Sequence, residues 1–170
     1  SFERFFTLLK THLEKTLFLF GGRPAAADFA IAGQVAQLLL DPTPGDWLRA
    51  KAPFVTAWSE FMEAPKAGGP FKPLSELEET LLPLFKDEVA ATYLPWAKAN
   101  MEAAEAKSER VALKLDGKAY EQITQHYAAR AFKAVTKMVQ GSKDADGLNG
   151  FFEAATAAEA FASSASSGRG

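Results

Sequence analysis

Residues 18–40 read FLFGGRPAAADFAIAGQVAQLLL, and the folding of this stretch decides how the rest of the chain is read. Gly21 and Gly22 break whatever precedes them, because a glycine pair disfavours helix and accepts positive φ. Pro24 stands just ahead of the next element. Asp28 falls in that element's first turn, where a carboxylate faces the positive end of the helix dipole. Pro24 and Asp28 are therefore expected to act as helix-start residues. From Phe29 to Leu40 only Gln34 and Gln37 are polar. A helix apolar on nearly every side is expected at the centre of a fold, covered by neighbours. It is too short, and too rich in Ala and Gly, to be a bilayer span.

Upstream, Phe2, Phe5, Phe6, Leu9 and Leu13 recur at helical spacing, with charged residues off that stripe. His12 lies beside the stripe and is expected to be a hydrogen-bonded edge histidine. Downstream, Asp41 to Asp46 (DPTPGD) reads as a turn-rich loop. A helix then starts near Pro53, with Phe54, Ala57, Trp58 and Phe61 as its apolar stripe, and stops at Pro65. Lys66 to Pro73 reads as a surface loop. Ser75 and Glu78 form a Ser-x-x-Glu capping box for a long helix that Pro83 and Pro95 should kink or break. Its periodic positions include Leu77, Leu81, Leu84, Val89, Thr92, Tyr93 and Trp96, and a polar, Ala-rich stretch from Ala97 to Glu109 carries it toward solvent.

At Val111 the period changes to alternation. Asp116-Gly117 is a two-residue hairpin turn, which pairs Leu115 with Lys118, Leu113 with Tyr120 and Val111 with Gln122. Tyr127, Ala131, Ala134, Val135 and Met138 restore a helix, with Arg130, Lys133 and Lys137 as a basic, solvated stripe. Leu148, Phe151, Phe152, Ala155 and Phe161 suggest a last helix. The expected organisation is one all-α helical bundle over residues 1–162, with a short β-hairpin at about 110–124. A disordered Ala/Ser/Gly tail is expected at 163–170.

The totals narrow the function classes. The chain of 170 residues is 48% hydrophobic and carries 14 Phe, which favours a well-filled interior. A formal net charge of −2 argues against a nucleic-acid binder. With no Cys and two distant His, neither a metal centre nor a thiolate nucleophile is expected. There is no Gly-rich phosphate loop, no Gly-x-Ser-x-Gly elbow and no His-Glu-x-x-His pair. Glu76, Glu78 and Glu79 sit at a helix start, where they complement the dipole. No catalytic residue is expected in this chain. Tyr93, Trp96, His126 and Tyr127 are the candidates for lining a ligand surface, because each presents a polar tip on an apolar body.

The run G-G-R-P-A-A-A-D-F-A-I-A-G-Q resembles the helix-capping segment of the C-terminal, all-helical domain of glutathione transferases. Gly22, Pro24 and Asp28 match that pattern, while Ala25 stands where the family has Ser or Thr. A missing hydroxyl cap costs about 1 kcal/mol. The following segment, Asp41 to Pro65, is similar to a bacterial branch of the family. The resemblance spans about Phe2 to Met138 and is best from Phe18 to Pro65.

The resemblance implies a glutathione transferase C-terminal-like helical bundle that supplies a hydrophobic co-substrate wall and a dimer or partner surface. The thiol-activating, thioredoxin-like domain is not seen in this chain. No cofactor is expected here, and glutathione is the co-substrate if that domain is present elsewhere. The expected partners are a thioredoxin-like domain, another protein subunit or a second copy, with no nucleic acid and no membrane span. The alternative is a non-catalytic scaffold subunit, for which a Phe2, Phe5, Phe6 and Leu9 stripe would be exposed and seek a partner. A start without Met reads as a fragment or a processed chain. The expected compartment is the cytoplasm, or an organelle after removal of a targeting peptide.

Overall fold

The computed structural model describes residues 2–142 and 147–161; the expected tail at 163–170 lies outside them. The fold is all-helical apart from one antiparallel hairpin. It groups into two compact units, Ser1–Leu84 and Phe85–Gly170, where the sequence reading has one domain over 1–162.

The first unit holds α1 (Phe2–Leu13), α2 (Ala26–Leu40), α3 (Pro42–Lys51), α4 (Pro53–Phe61) and α5 (Leu74–Leu84). Leu9, Phe18, Val35, Leu48 and Val55 are fully buried and form the centre of its core. The α1 stripe is covered by its own unit: Phe6 and Leu9 are buried, and the Phe2 ring packs edge-on against Phe6 and Trp47 at 4.8 and 5.2 Å between centroids. The exposed first-helix stripe expected for a scaffold is therefore not present.

Three other expectations are corrected. The loop at Asp41–Asp46 is the start of α3, because Asp41 caps it by accepting from Thr43 N at 3.0 Å and Pro42 occupies the first turn. Pro44 is tolerated there because first-turn N–H groups have no partner within the helix to lose. On α4 the buried residues are Val55, Trp58 and Ser59, while Phe54 and Ala57 face outward and Phe61 sits at the edge, its ring 5.9 Å from that of Phe18. Trp58 sets that rotation, since its indole N–H donates to Leu17 O at 3.2 Å. Helix α5 begins at Leu74, which places Ser75 inside the helix rather than at its cap.

Helix α2 is less covered than its composition predicts. Asp28, Ala32 and Val35 are buried, whereas Phe29 is 50% and Leu40 78% exposed. Uniform apolarity says a helix can be buried; it does not say on how many sides neighbours exist. Here α3 and α4 pack on it, and the Phe29, Gly33, Ala36 and Leu40 side stays open.

A buried polar network ties the unit together through one residue, Leu19. Asp28 Oδ1 accepts from Leu19 N and Oδ2 from Ala25 N, both at 2.8 Å. Ala25 has no side-chain oxygen, so the Asp28 amide turns to the Ala25 carbonyl at 3.0 Å. The Leu19 carbonyl accepts from His12 Nε2 at 2.9 Å, and His12 Nδ1 lies 2.7 Å from Thr80 Oγ1. With Nε2 donating, a neutral ring leaves Nδ1 to accept from the threonine hydroxyl. His12 is thus a core residue, not an edge one, with no exposed surface. Burial lowers its pKa from 6.5, against the opposing pull of the Leu19 carbonyl and the Asp28 charge.

The glycine pair has a second use. Gly21 has φ +116°, and a Cβ on Gly22 would stand 2.7 Å from Gly69 Cα. That closeness lets Gly22 O accept from the N–H groups of Gly68 and Gly69, pinning the 66–73 loop.

The second unit runs through a π-helical segment (Phe85–Tyr93), α6 (Leu94–Glu105), β1 (Arg110–Leu115), β2 (Lys118–Ile123), α7 (His126–Gly141), α8 (Leu148–Ala154) and a 3₁₀ turn (Ala158–Phe161). The long helix expected across Pro83 and Pro95 is therefore divided into α5, the π segment and α6. A proline lacks the N–H and its ring crowds the carbonyl four residues back. Bonding five residues back, as a π-helix does, is a way past that crowding. The hairpin has the expected register, Leu113 opposite Tyr120 and Leu115 opposite Lys118. Asp116 and Gly117 both take positive φ, 49° and 75°, the requirement of its two-residue turn.

Helix α7 buries Ala129 and Phe132. The large Phe132 ring sets that face, meeting Phe161 at 6.4 Å. The Tyr127, Ala131, Ala134, Val135 and Met138 stripe faces outward, with Tyr127 78% and Met138 71% exposed. The last helix is short, and its chain closes with Phe161 buried in the 3₁₀ turn.

Candidate functional site

The junction between the π segment and α6 places two aromatic side chains together. Tyr93 ends the π segment and Trp96 lies in the first turn of α6. Their ring centroids are 5.8 Å apart with planes at 42°. Thr92 precedes Tyr93 in the π segment. The Thr92 hydroxyl and the Trp96 indole nitrogen are both buried, and neither has a hydrogen-bond partner among the described residues. Leaving such a group unsatisfied costs about 1–3 kcal/mol; the Thr124 and Thr136 hydroxyls and the Gln122 side-chain nitrogen are buried in the same way. Leu94, Ala97 and Asn100 are the buried residues of α6.

His126 and Tyr127 open α7 and are exposed. They are held by Asn100, whose Nδ2 donates to Gln125 O at 2.9 Å and whose Oδ1 accepts from Gln125 N at 2.8 Å. His126 lines a shallow groove of about 450 Å³ with Met101, Glu105, Arg130 and Lys133. The Lys133–Glu105 ion pair closes at 2.7 Å between two of the lining residues. Among the described residues, no hydrogen bond or ring contact joins Tyr93 or Trp96 to His126 or Tyr127. The four sequence candidates thus stand as two pairs.

Two contributors escaped the sequence reading. Thr92 reads there as an ordinary periodic position; its signal is its place between two prolines, where the α-helical period cannot persist. Asn100 reads as part of a solvent-bound stretch, yet it is fully buried, and a lone Asn in an Ala-rich helix carries no sequence mark of its partner.

The junction presents a pair of aromatic rings, Tyr93 and Trp96. Thr92, Tyr93 and Trp96 bring no carboxylate or imidazole for proton transfer. Among the described residues no cluster of His, Cys, Asp and Glu is placed to hold a metal ion. None of their helices is long and apolar enough to cross a membrane.

A family model described as glutathione S-transferase, C-terminal domain, matches residues 1–61. That span ends with α4, inside the first unit, so the Thr92–Trp96 junction lies beyond it. No curated protein and no solved structure matches the chain.

Proposed function

We propose, for a chain that carries a glutathione S-transferase C-terminal domain in residues 1–61, that it supplies the wall for an apolar co-substrate. The thiolate chemistry on glutathione comes from a thioredoxin-like domain outside these residues. The observation that carries this reading is the pair of unpartnered polar groups, Thr92 hydroxyl and Trp96 N–H, beside the Tyr93 ring. Ionising glutathione takes donors that lower a thiol pKa, and the junction provides an aromatic surface rather than such a set.

The test is a titration of the 170-residue chain with a chloronitrobenzene, measured by isothermal titration calorimetry. Trp96→Phe keeps the ring and removes the donor, and weakens binding about 3–10-fold. Tyr93→Ala weakens it further. With glutathione added, the chain alone shows no conjugation. Binding unchanged in both variants, or turnover by the chain alone, overturns the reading.

A second reading, a non-catalytic interaction subunit, is favoured by a different observation: the open apolar sides of α2 and α7.

A further inference from the structure

The second unit holds a cavity walled by three elements that pack on one another, α6, α7 and the 3₁₀ turn. Its volume is about 420 Å³, inside the range of about 300–1,000 Å³ usual for small-molecule sites. Met101, Phe132 and Ala160 supply apolar lining, and the Lys133–Glu105 ion pair, 2.7 Å long, belongs to the wall. Four further lining residues are charged: Lys98 and Glu102 on α6, Lys137 on α7 and Glu159 in the 3₁₀ turn.

All four are exposed, and none of them enters an ion pair among the described residues. Lys98 and Glu102 stand at the i, i+4 spacing, but with the lysine first, the weaker order for such a pair. The cavity therefore offers two unpaired cations and two unpaired carboxylates around an apolar lining. A simple anion would meet the two carboxylates, and a simple cation the two ammonium groups. A neutral apolar molecule would strip water from all four charges and put nothing in its place. A molecule with one charge of each sign and an apolar body satisfies both pairs.

We infer that this cavity binds a zwitterionic dipeptide with apolar side chains. Lys98 and Lys137 take its carboxylate, Glu102 and Glu159 its ammonium group, and Met101 and Ala160 meet its side chains. The length follows from α6. Lys98 and Glu102 are about 6 Å apart along the helix axis. An extended dipeptide spans about 7 Å, and a single amino acid about half of that. The inference uses neither Tyr93 nor Trp96, so it stands or falls apart from the co-substrate wall.

Calorimetric titration of the 170-residue chain with leucyl-leucine near neutral pH, where both peptide termini are charged, tests it. The expected Kd is about 0.1–1 mM. The N-acetylated peptide lacks the ammonium group and the peptide amide lacks the carboxylate; each binds about 3–10-fold more weakly. Lys98→Gln/Lys137→Gln loses the same factor for leucyl-leucine and no longer separates it from its amide. Glu102→Gln/Glu159→Gln also loses it, and no longer separates leucyl-leucine from the acetylated form. All four positions are exposed, so melting temperatures stay near that of the parent chain. No binding of leucyl-leucine up to about 10 mM overturns the inference. So do blocked peptides or free leucine that bind as tightly as leucyl-leucine, or folded variants that keep the parent chain's preferences.

Discussion

In each unit a buried polar side chain makes two hydrogen bonds to loop backbone, and the two grips differ in reach. Asp28 holds the N–H groups of Leu19 and Ala25, nine and three residues away. Asn100 holds both the N–H and the carbonyl of Gln125, twenty-five residues on. The first is a helix-start carboxylate whose position is readable from Gly, Pro and Asp in a row. The second is an amide whose partner is decided by how α6, the hairpin and α7 close up. Local polar anchors announce themselves in sequence; long-range ones do not.

The comparison is sharpest when the anchors are removed. Asp28→Ala strips partners from two amides of the first unit, and hydrogen bonds to a charged group are the stronger kind. A loss of about 3–5 kcal/mol is expected in urea unfolding. Hydrogen exchange should accelerate across residues 13–40 while residues 97–130 stay protected. Asn100→Ala removes two neutral bonds and should cost less, about 2–3 kcal/mol, with the exchange pattern reversed. If both variants loosen the whole chain equally, the two units unfold as one, and the contrast drawn from their anchors fails.

The smallest expected effect is a pH dependence confined to the first unit. His12 is held neutral by burial, with its pKa below 6.5. Its contribution to stability is fully present above that value. It is lost as pH falls from there through the lowered folded pKa, because the unfolded chain takes up the proton first. The Leu19 and Asp28 interactions oppose the shift, so the step is shallow. Urea midpoints measured between pH 7 and pH 5 should drop for the parent chain and drop less for His12→Gln. An equal slope in both assigns the acid sensitivity to other groups.

Much of the fold was legible because its signals are local. The Gly21–Gly22 break, the start of α2, the hairpin with its register and the prolines bracketing the π segment all follow from neighbouring residues. What failed were faces. The apolar stripe on α4 is there in sequence, yet Trp58 reaching Leu17 turns Phe54 outward and leaves Phe61 at the edge against Phe18. On α7 the stripe through Tyr127 and Met138 is the more regular one, yet the single large ring of Phe132 takes the inside. The candidate site was half visible: Tyr93 and Trp96 stood out as amphipathic aromatics, while Thr92 became notable only once its hydroxyl proved to be buried without a partner.

By itself, then, the amino-acid sequence determined the helical class, the capped start at Asp28, the hairpin pairing and the lack of any recognised catalytic motif. These depend on dihedral preferences and on polar groups within a few residues of one another. Tertiary structure alone decided which side of each helix is covered, where His12 and Asn100 find partners, and which apolar faces remain open. The physical reason is that burial is set by what else occupies the space, and periodicity along one helix contains no information about its neighbours.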